Sequence, residues 1–295
     1  MRNIVWFRRD LRIGDHPALV AAMENSDEIV PVFILDKQQI SEAGSKLLAY
    51  MSNSLRALDE SLGNRLHIIE GDQVTVLKEL IALYDVKEVH ISTEYERYGA
   101  ERDARVEAAG IPLVRTGSPY AVAPGRVVKP SDATPYKVYT PFYKLWSTLA
   151  VNPPVKLLAP AKPWLEPLEC MGRPVARGEM AIRAGEAFAL RTLARFIERA
   201  IHDYDENRNR ADLSGTSHLS HALAHGEIHP RTILASIGDG AGETVFAKEI
   251  CWREFYADVL FRNPDSLHDY YDKRYSQMRY DKGPSAEKKL EAWKR

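Results

Sequence analysis

Ile4-Val-Trp-Phe-Arg-Arg-Asp-Leu-Arg12, followed by Asp15-His-Pro-Ala-Leu19, decides how the chain folds. Four apolar residues without a polar break match a strand buried on both faces. The run stops at a cluster of charge, after which Asp15 offers a helix N-cap with Pro17 in the first helical turn. Four more short runs of this kind follow, at residues 29–35, 66–70, 89–92 and 112–115. Between them Leu48, Met51, Leu55, Leu58 and Leu62 step by three and four, as do Leu77, Leu80, Ile81 and Tyr84, each set drawing one apolar helical stripe. This alternation predicts an α/β fold, a doubly wound, Rossmann-like parallel sheet, over residues 1–125. Ligands often bind at strand ends in such sheets. No Gly-x-Gly-x-x-Gly follows the first run, however, so a salt-bridged turn is the plainer reading of Arg8 to Arg12.

Composition narrows the function classes. The 295 residues carry 40 basic and 41 acidic side chains, a formal charge of −1, so any nucleic-acid contact must come from a local patch. Cys170 and Cys251 are too few and too far apart for a disulfide framework or zinc spacing. The N-terminus runs straight into a strand pattern instead of a signal peptide, and no apolar run reaches membrane-spanning length. A reduced, cytoplasmic protein without membrane contact is expected.

Eleven prolines between Pro119 and Pro174 break up any long element, which predicts an interdomain connector over residues 126–185. From residue 186 to 295 the pattern is helical, with Phe188, Leu193, Phe196, Ile197, Ala200, Ile201 and Tyr204 on one face, Tyr204 closing the helix.

Chemistry-bearing residues concentrate in this helical part. Thr216, Ser217 and Ser220 fall in the first turn of a helix expected after Gly215. Free amides and hydroxyls there suit a pyrophosphate, and equally suit plain N-capping by Ser214 or Thr216. His218, His221, His225 and His229 repeat every three or four residues, but Gly226 and Pro230 should end the helix first, so a solvated face is expected and no metal site. Glu249 and Trp252 lie one turn apart, so they project together, a carboxylate beside a flat apolar wall. An ordinary amphipathic helix, with Trp252, Phe255 and Val259 in the core and Glu249 at the rim, accounts for the same pattern.

The strings Trp6-Phe-Arg-Arg-Asp-Leu-Arg12, Thr134-Pro-Tyr-Lys-Val-Tyr-Thr-Pro-Phe142, Gly215-Thr-Ser-His-Leu-Ser220 and Glu249-Ile-Cys-Trp-Arg-Glu-Phe-Tyr256 resemble the DNA photolyase and cryptochrome family along the whole chain, nearest to class I cyclobutane dimer photolyases. The resemblance implies light-driven repair of cyclobutane pyrimidine dimers by electron transfer from reduced FAD. It implies an N-terminal photolyase domain followed by the first part of an all-helical FAD-binding domain. Tyr204, Thr216, Ser217, His218, Leu219 and Ser220 match positions along the flavin phosphates and ribityl chain. Glu249 and Trp252 would face the dimer, and Arg208, Arg253 and Tyr256 would join them in contacting damaged DNA. A second antenna chromophore, methenyltetrahydrofolate or a deazaflavin, is implied, and Thr93-Glu-Tyr-Glu96 at the fourth strand's end suits it and equally suits a plain loop. Family members are expected to be monomers, with further helices beyond a Gly-x-Thr-Gly segment that complete the flavin pocket and most of the tryptophan electron-transfer chain. Tyr280 falls near where the family places the outermost tryptophan of that chain. This polypeptide alone is therefore expected to bind flavin weakly or not at all. A cryptochrome-like blue-light sensor and a non-functional truncated paralogue are the alternatives.

Overall fold

β1 (Arg2–Phe7), β2 (Glu28–Leu35), β3 (His67–Glu70), β4 (Val86–Ile91) and β5 (Leu113–Arg115) form one parallel sheet in the order β3-β2-β1-β4-β5 in the computed structural model. Residues 1–156, 163–167 and 183–294 are described, so Cys170 lies outside the described residues. The strands alternate with α1 (Pro17–Glu24), α2 (Lys37–Glu42), α3 (Ser45–Ser61), α4 (Gln73–Tyr84) and α5 (Arg97–Ala108). The alternation of β1 divides its residues between two cores: Ile4 and Trp6 join Val32, Leu77, Leu80 and Val89, while Val5 and Phe7 join Leu19, Phe33, Leu55, Leu58 and Leu62. Both faces are thus covered by helices, which is why the strands read as unbroken apolar runs. The expected α/β doubly wound class holds. β4 begins three residues earlier than the apolar run, because Val86 and Glu88 still pair with β1 across a register irregularity at Lys87.

The charged turn after β1 is salt-bridged, as the bare chemistry suggested. Arg8 pairs with Asp103 at 2.7 Å and Glu94 at 3.3 Å, and the guanidinium carbons of Arg8 and Arg102 stand 5.0 and 4.9 Å from the Trp6 ring centroid. Asp15 does not cap α1, as the sequence led us to expect. His16 is the cap, its Nδ1 accepting the Leu19 amide at 3.1 Å. Asp15 adopts a left-handed backbone (φ 48°) that turns its carboxylate away from the helix.

That carboxylate joins the two halves of the molecule. The helical half comprises α7 (Glu186–Arg199), α8 (Tyr204–Asn207), α9 (Ser220–His225), α10 (Pro230–Ser236), α11 (Ala241–Arg262) and α12 (Pro284–Lys294), preceded in the connector by α6 (Tyr139–Trp146). Asp15 accepts from Arg231 Nε at 2.8 Å, Thr232 Oγ1 at 2.7 Å and the Val155 amide at 2.9 Å. Arg12 donates to the Gly226 carbonyl at 3.0 Å, and Glu186 accepts the amides of Ile13 and Gly14. Glu227, fully buried, holds Tyr50, Ser54 and the Gly185 amide. Gly226 (φ 69°) is required at this junction, since a Cβ there would collide with the Arg9 carbonyl. Within the connector, Pro163 and Leu165 hydrogen-bond Ile29 on either side of Trp164, extending the sheet beside the start of β2.

His229 sits inside this junction and sets its acid sensitivity. Its Nδ1 accepts the Arg231 amide at 3.1 Å, which leaves Nε2–H to donate to the Ser118 carbonyl at 2.8 Å. Burial and the nearby Arg12 and Arg231 lower its pKa from 6.5 to about 3. The unfolded ring gains a proton below about 6.5 and the folded ring only near 3. Stability is therefore full above that window and falls as pH drops through it. Thermal melts across the window should show this slope, and His229→Asn, which keeps a capping acceptor, should flatten it. An unchanged slope in the variant would exclude the ring as its source.

Candidate functional site

Glu249, Trp252 and Tyr256 share one stripe of the 22-residue α11 because they are three and four residues apart. Trp252 is half-buried between two tyrosines. Tyr139 of α6 stacks on it with ring centroids 3.6 Å apart and planes 7° apart, and Tyr256 lies 5.5 Å away at 25°. Tyr143 continues the stack from Tyr139 at 6.0 Å and 24°. Tyr139 is fixed further by donating its hydroxyl to the Lys248 carbonyl at 2.8 Å. Each aromatic contact adds about 0.5–1.5 kcal/mol beyond burial, so the rings form a rigid platform whose outer member, Tyr256, is 62% exposed. In the amphipathic reading Trp252 belonged to the core; of that set only Phe255 is buried, while Trp252 and Val259 are half-buried.

Beside the platform, the Glu249 carboxylate is ion-paired with Arg208, which follows α8; the two side chains are 35% and 34% exposed. The structure thus brings together Glu249, Trp252, Tyr256 and Arg208. Tyr139 is a member that helical spacing did not single out, although it lies within the Thr134 to Phe142 string. Arg253 requires a correction. It donates to the carbonyls of Pro119 at 3.0 Å and Leu223 at 3.5 Å, and its guanidinium lies 4.7 Å from the Tyr120 ring centroid. It braces residues 119–120, ahead of the connector, against α9, and so does not join the Glu249–Trp252–Tyr256 group. Glu254, one residue on, is buried and binds the Ala121 and Val122 amides and the Trp146 indole, anchoring α6 to α11.

The hydroxyl-rich loop also differs from expectation. α9 begins only at Ser220, with Leu219 as its cap residue, so Thr216 and Ser217 lie in the loop ahead of it and His218 takes a left-handed φ of 52°. Gly215 packs closely on Asn207, where a Cβ would be crowded. Thr216, His218 and Ser220 are exposed and Ser217 half-buried. Among the described residues the amides of Thr216, Ser217 and His218 have no protein acceptor. Free amides beside exposed hydroxyls fit the oxygens of a phosphate. Tyr204 and Leu219 are buried instead. Tyr204 opens α8 instead of closing α7, and its ring meets Phe196 and Phe246 edge to face. Burial, and then the charge of Glu249, raises the Tyr204 phenol pKa. Both residues belong to the apolar core of the helical half.

The four histidines do not share one solvated face. His218 and His221 are exposed, His225 lies 4.7 Å from Tyr50, and His229 is buried in the junction. No group of three metal-binding side chains occurs among the described residues, and no helix is long and apolar enough to cross a membrane. A second concavity of about 640 Å³ opens at the carboxyl ends of β2 and β3, lined by Asp36, Gly71, Gln73, Tyr98, Arg102 and Arg105. Glu94 and Glu96, from the stretch after β4, are spent on Arg8, Arg102 and Arg9. Tyr280 is exposed and its hydroxyl contacts that of Tyr270 at 2.9 Å.

Comparison with known proteins agrees with this architecture. The chain is 30% identical over 311 residues to the deoxyribodipyrimidine photo-lyase of Synechococcus sp. (strain ATCC 27144 / PCC 6301 / SAUG 1402/1), covering 94% of this chain and 64% of that protein. An uncharacterized 31.6 kDa protein of Synechococcus sp. (strain PCC 6716) is 33% identical in an alignment of 284 positions that covers 86% of this chain and 98% of that one. Among solved structures, the class III photolyase from Agrobacterium tumefaciens superposes with a TM-score of 0.81 at 28% identity, covering 99% of this chain and 65% of that one. The chain thus spans slightly under two thirds of the length of these two photolyases. The DNA photolyase family profile matches residues 3–161, more than half of the 295, from β1 through the sheet and α6. By that match the chain belongs to the DNA photolyase family.

Proposed function

We propose that this chain supplies the dimer-binding face and one wall of the FAD site in light-driven repair of cyclobutane pyrimidine dimers. The observation that carries this reading is the α11 stripe, with a carboxylate, a stacked indole and an exposed tyrosine beside Arg208. A dimer flipped from the duplex exposes flat apolar faces and polar edges, which call for aromatic packing and hydrogen bonding. A carboxylate can only accept, so Glu249, paired with Arg208, matches the N–H groups on a pyrimidine edge. Arg208 is placed to exchange that carboxylate for a DNA phosphate. Tyr139 and Tyr256 keep Trp252 from rotating, so its edge and the outer tyrosine face receive the dimer.

When bound, reduced FAD supplies the electron that opens the cyclobutane ring. Thr216 and Ser217 from the loop and Ser220 from the start of α9 would hold its phosphates, with Tyr204 and Leu219 supporting them from the core. The cleft at the ends of β2 and β3 would take the second chromophore, a methenyltetrahydrofolate or a deazaflavin. Tyr98 offers a ring there, and the exposed Arg105, now paired with Asp72, offers charge for an anionic tail. The reading is at family level and carries no class. Illumination of dimer-containing oligonucleotide with FAD-supplemented protein tests it. Loss of dimers only under blue light is expected. Dimers left intact while light changes the flavin spectrum would point to a sensor instead.

A further inference from the structure

Along α11 the stripe Glu249, Trp252, Tyr256 continues by steps of three and four to Val259 and Asn263. There it borders a cavity of about 340 Å³ lined by Tyr136, Lys137, Asp258, Arg262, Asn263 and Tyr271. Residues 135–137 on its far wall lead directly into α6 and so to Tyr139, the ring stacked on Trp252. Both carboxylate oxygens of Asp258 are engaged, one by the Gly125 amide at 2.6 Å and one by Arg262 Nε at 2.8 Å. Asp258 therefore fixes the Arg262 guanidinium by one edge. Arg262 Nη2 is buried and has no hydrogen-bond partner among the described residues. Lys137 is exposed and makes no ion pair among the described residues. The two cations outnumber the single carboxylate, leaving the cavity cationic, with tyrosines on two sides.

We propose that this cavity is a seat for a phosphate group of the DNA backbone, held by Arg262 and Lys137. An immobilised guanidinium fork with an unsatisfied donor is suited to phosphate oxygens, and a flexible ammonium completes the charge. Arg262 lies ten residues from Trp252, about 15 Å along the helix axis. That is roughly four nucleotides of one strand at about 3.4 Å each. The seat would bind the strand flanking a dimer placed on the platform, and in this it rests on the proposed function.

Two measurements on the full 295-residue chain separate the claims. In the first, inorganic phosphate should raise the melting temperature of the wild-type chain and not of Lys137→Met or Arg262→Gln. Lys137→Met leaves the Asp258–Arg262 contact intact and guards against a folding defect. In the second, either variant should weaken binding of dimer-containing duplex about five- to tenfold and lower the salt-dependence slope by about 0.9. No phosphate effect, with an unchanged slope, would overturn the seat. A phosphate effect with an unchanged slope would make it a site for free anions and overturn the backbone assignment. If phosphate binds but no DNA does, the proposed function fails while the anion-binding chemistry stands.

Discussion

Asp15→Ala should lower the unfolding free energy by about 3–5 kcal/mol, the range for breaking a buried ion pair from one side. The carboxylate is 7% exposed and is the shared acceptor for Arg231, Thr232 and the Val155 amide. Removing it leaves a guanidinium, a hydroxyl and an amide without their acceptor, while Arg12 and His229 remain packed around them. The loss should appear in urea denaturation as a lower midpoint. Because Asp15 ties α1 to α10, the exposed segment after α11 should show no greater change in hydrogen exchange than the junction itself. A loss below 1 kcal/mol would mean that water reaches this junction and that the two halves are held by apolar packing instead.

In protein with flavin bound, Glu249→Gln should reduce light-driven repair by roughly ten- to a hundredfold, corresponding to about 1.5–3 kcal/mol for a hydrogen bond to a charged group. The amide keeps the size of the side chain and one acceptor oxygen but loses the charge that Arg208 and a pyrimidine N–H both recognise. Stability should change little, because each partner of this pair is about one third exposed and surface pairs contribute little. Repair yield per absorbed photon, measured beside a urea melt, checks both halves of the expectation. Wild-type yield in the variant would remove Glu249 from the mechanism. A large drop in stability would mean that the carboxylate is chiefly structural.

The sheet was legible because strands buried on both faces leave short apolar runs rich in β-branched residues, while the similar run at residues 17–23 opens with Pro17 and carries alanines, as a helix does. The charged turn after β1 could likewise be read as salt-bridged. Its neighbour Asp15 could not, because a helix cap and a latch to residues 216 positions away look alike in sequence. Glu227 and Glu254 were illegible for the same reason: each is a single acid whose partners come from distant segments. On α11, spacing alone put Glu249 and Trp252 on one face. It left Trp252 between core and surface, a matter settled only when Tyr139 arrives from α6. The start of α9 was misplaced because serine and threonine favour caps and loops alike, and Gly215 is used for close packing on Asn207.

The central claim is that the Glu249–Trp252–Tyr256 face binds a pyrimidine dimer. It is tested most directly by the affinity of the chain, in the dark, for matched duplexes with and without one cyclobutane dimer. At least about tenfold preference for the damaged duplex is expected, largely lost in Trp252→Ala, in keeping with about 1–3 kcal/mol per stacked base. Equal affinity of the wild-type chain for both duplexes would contradict it.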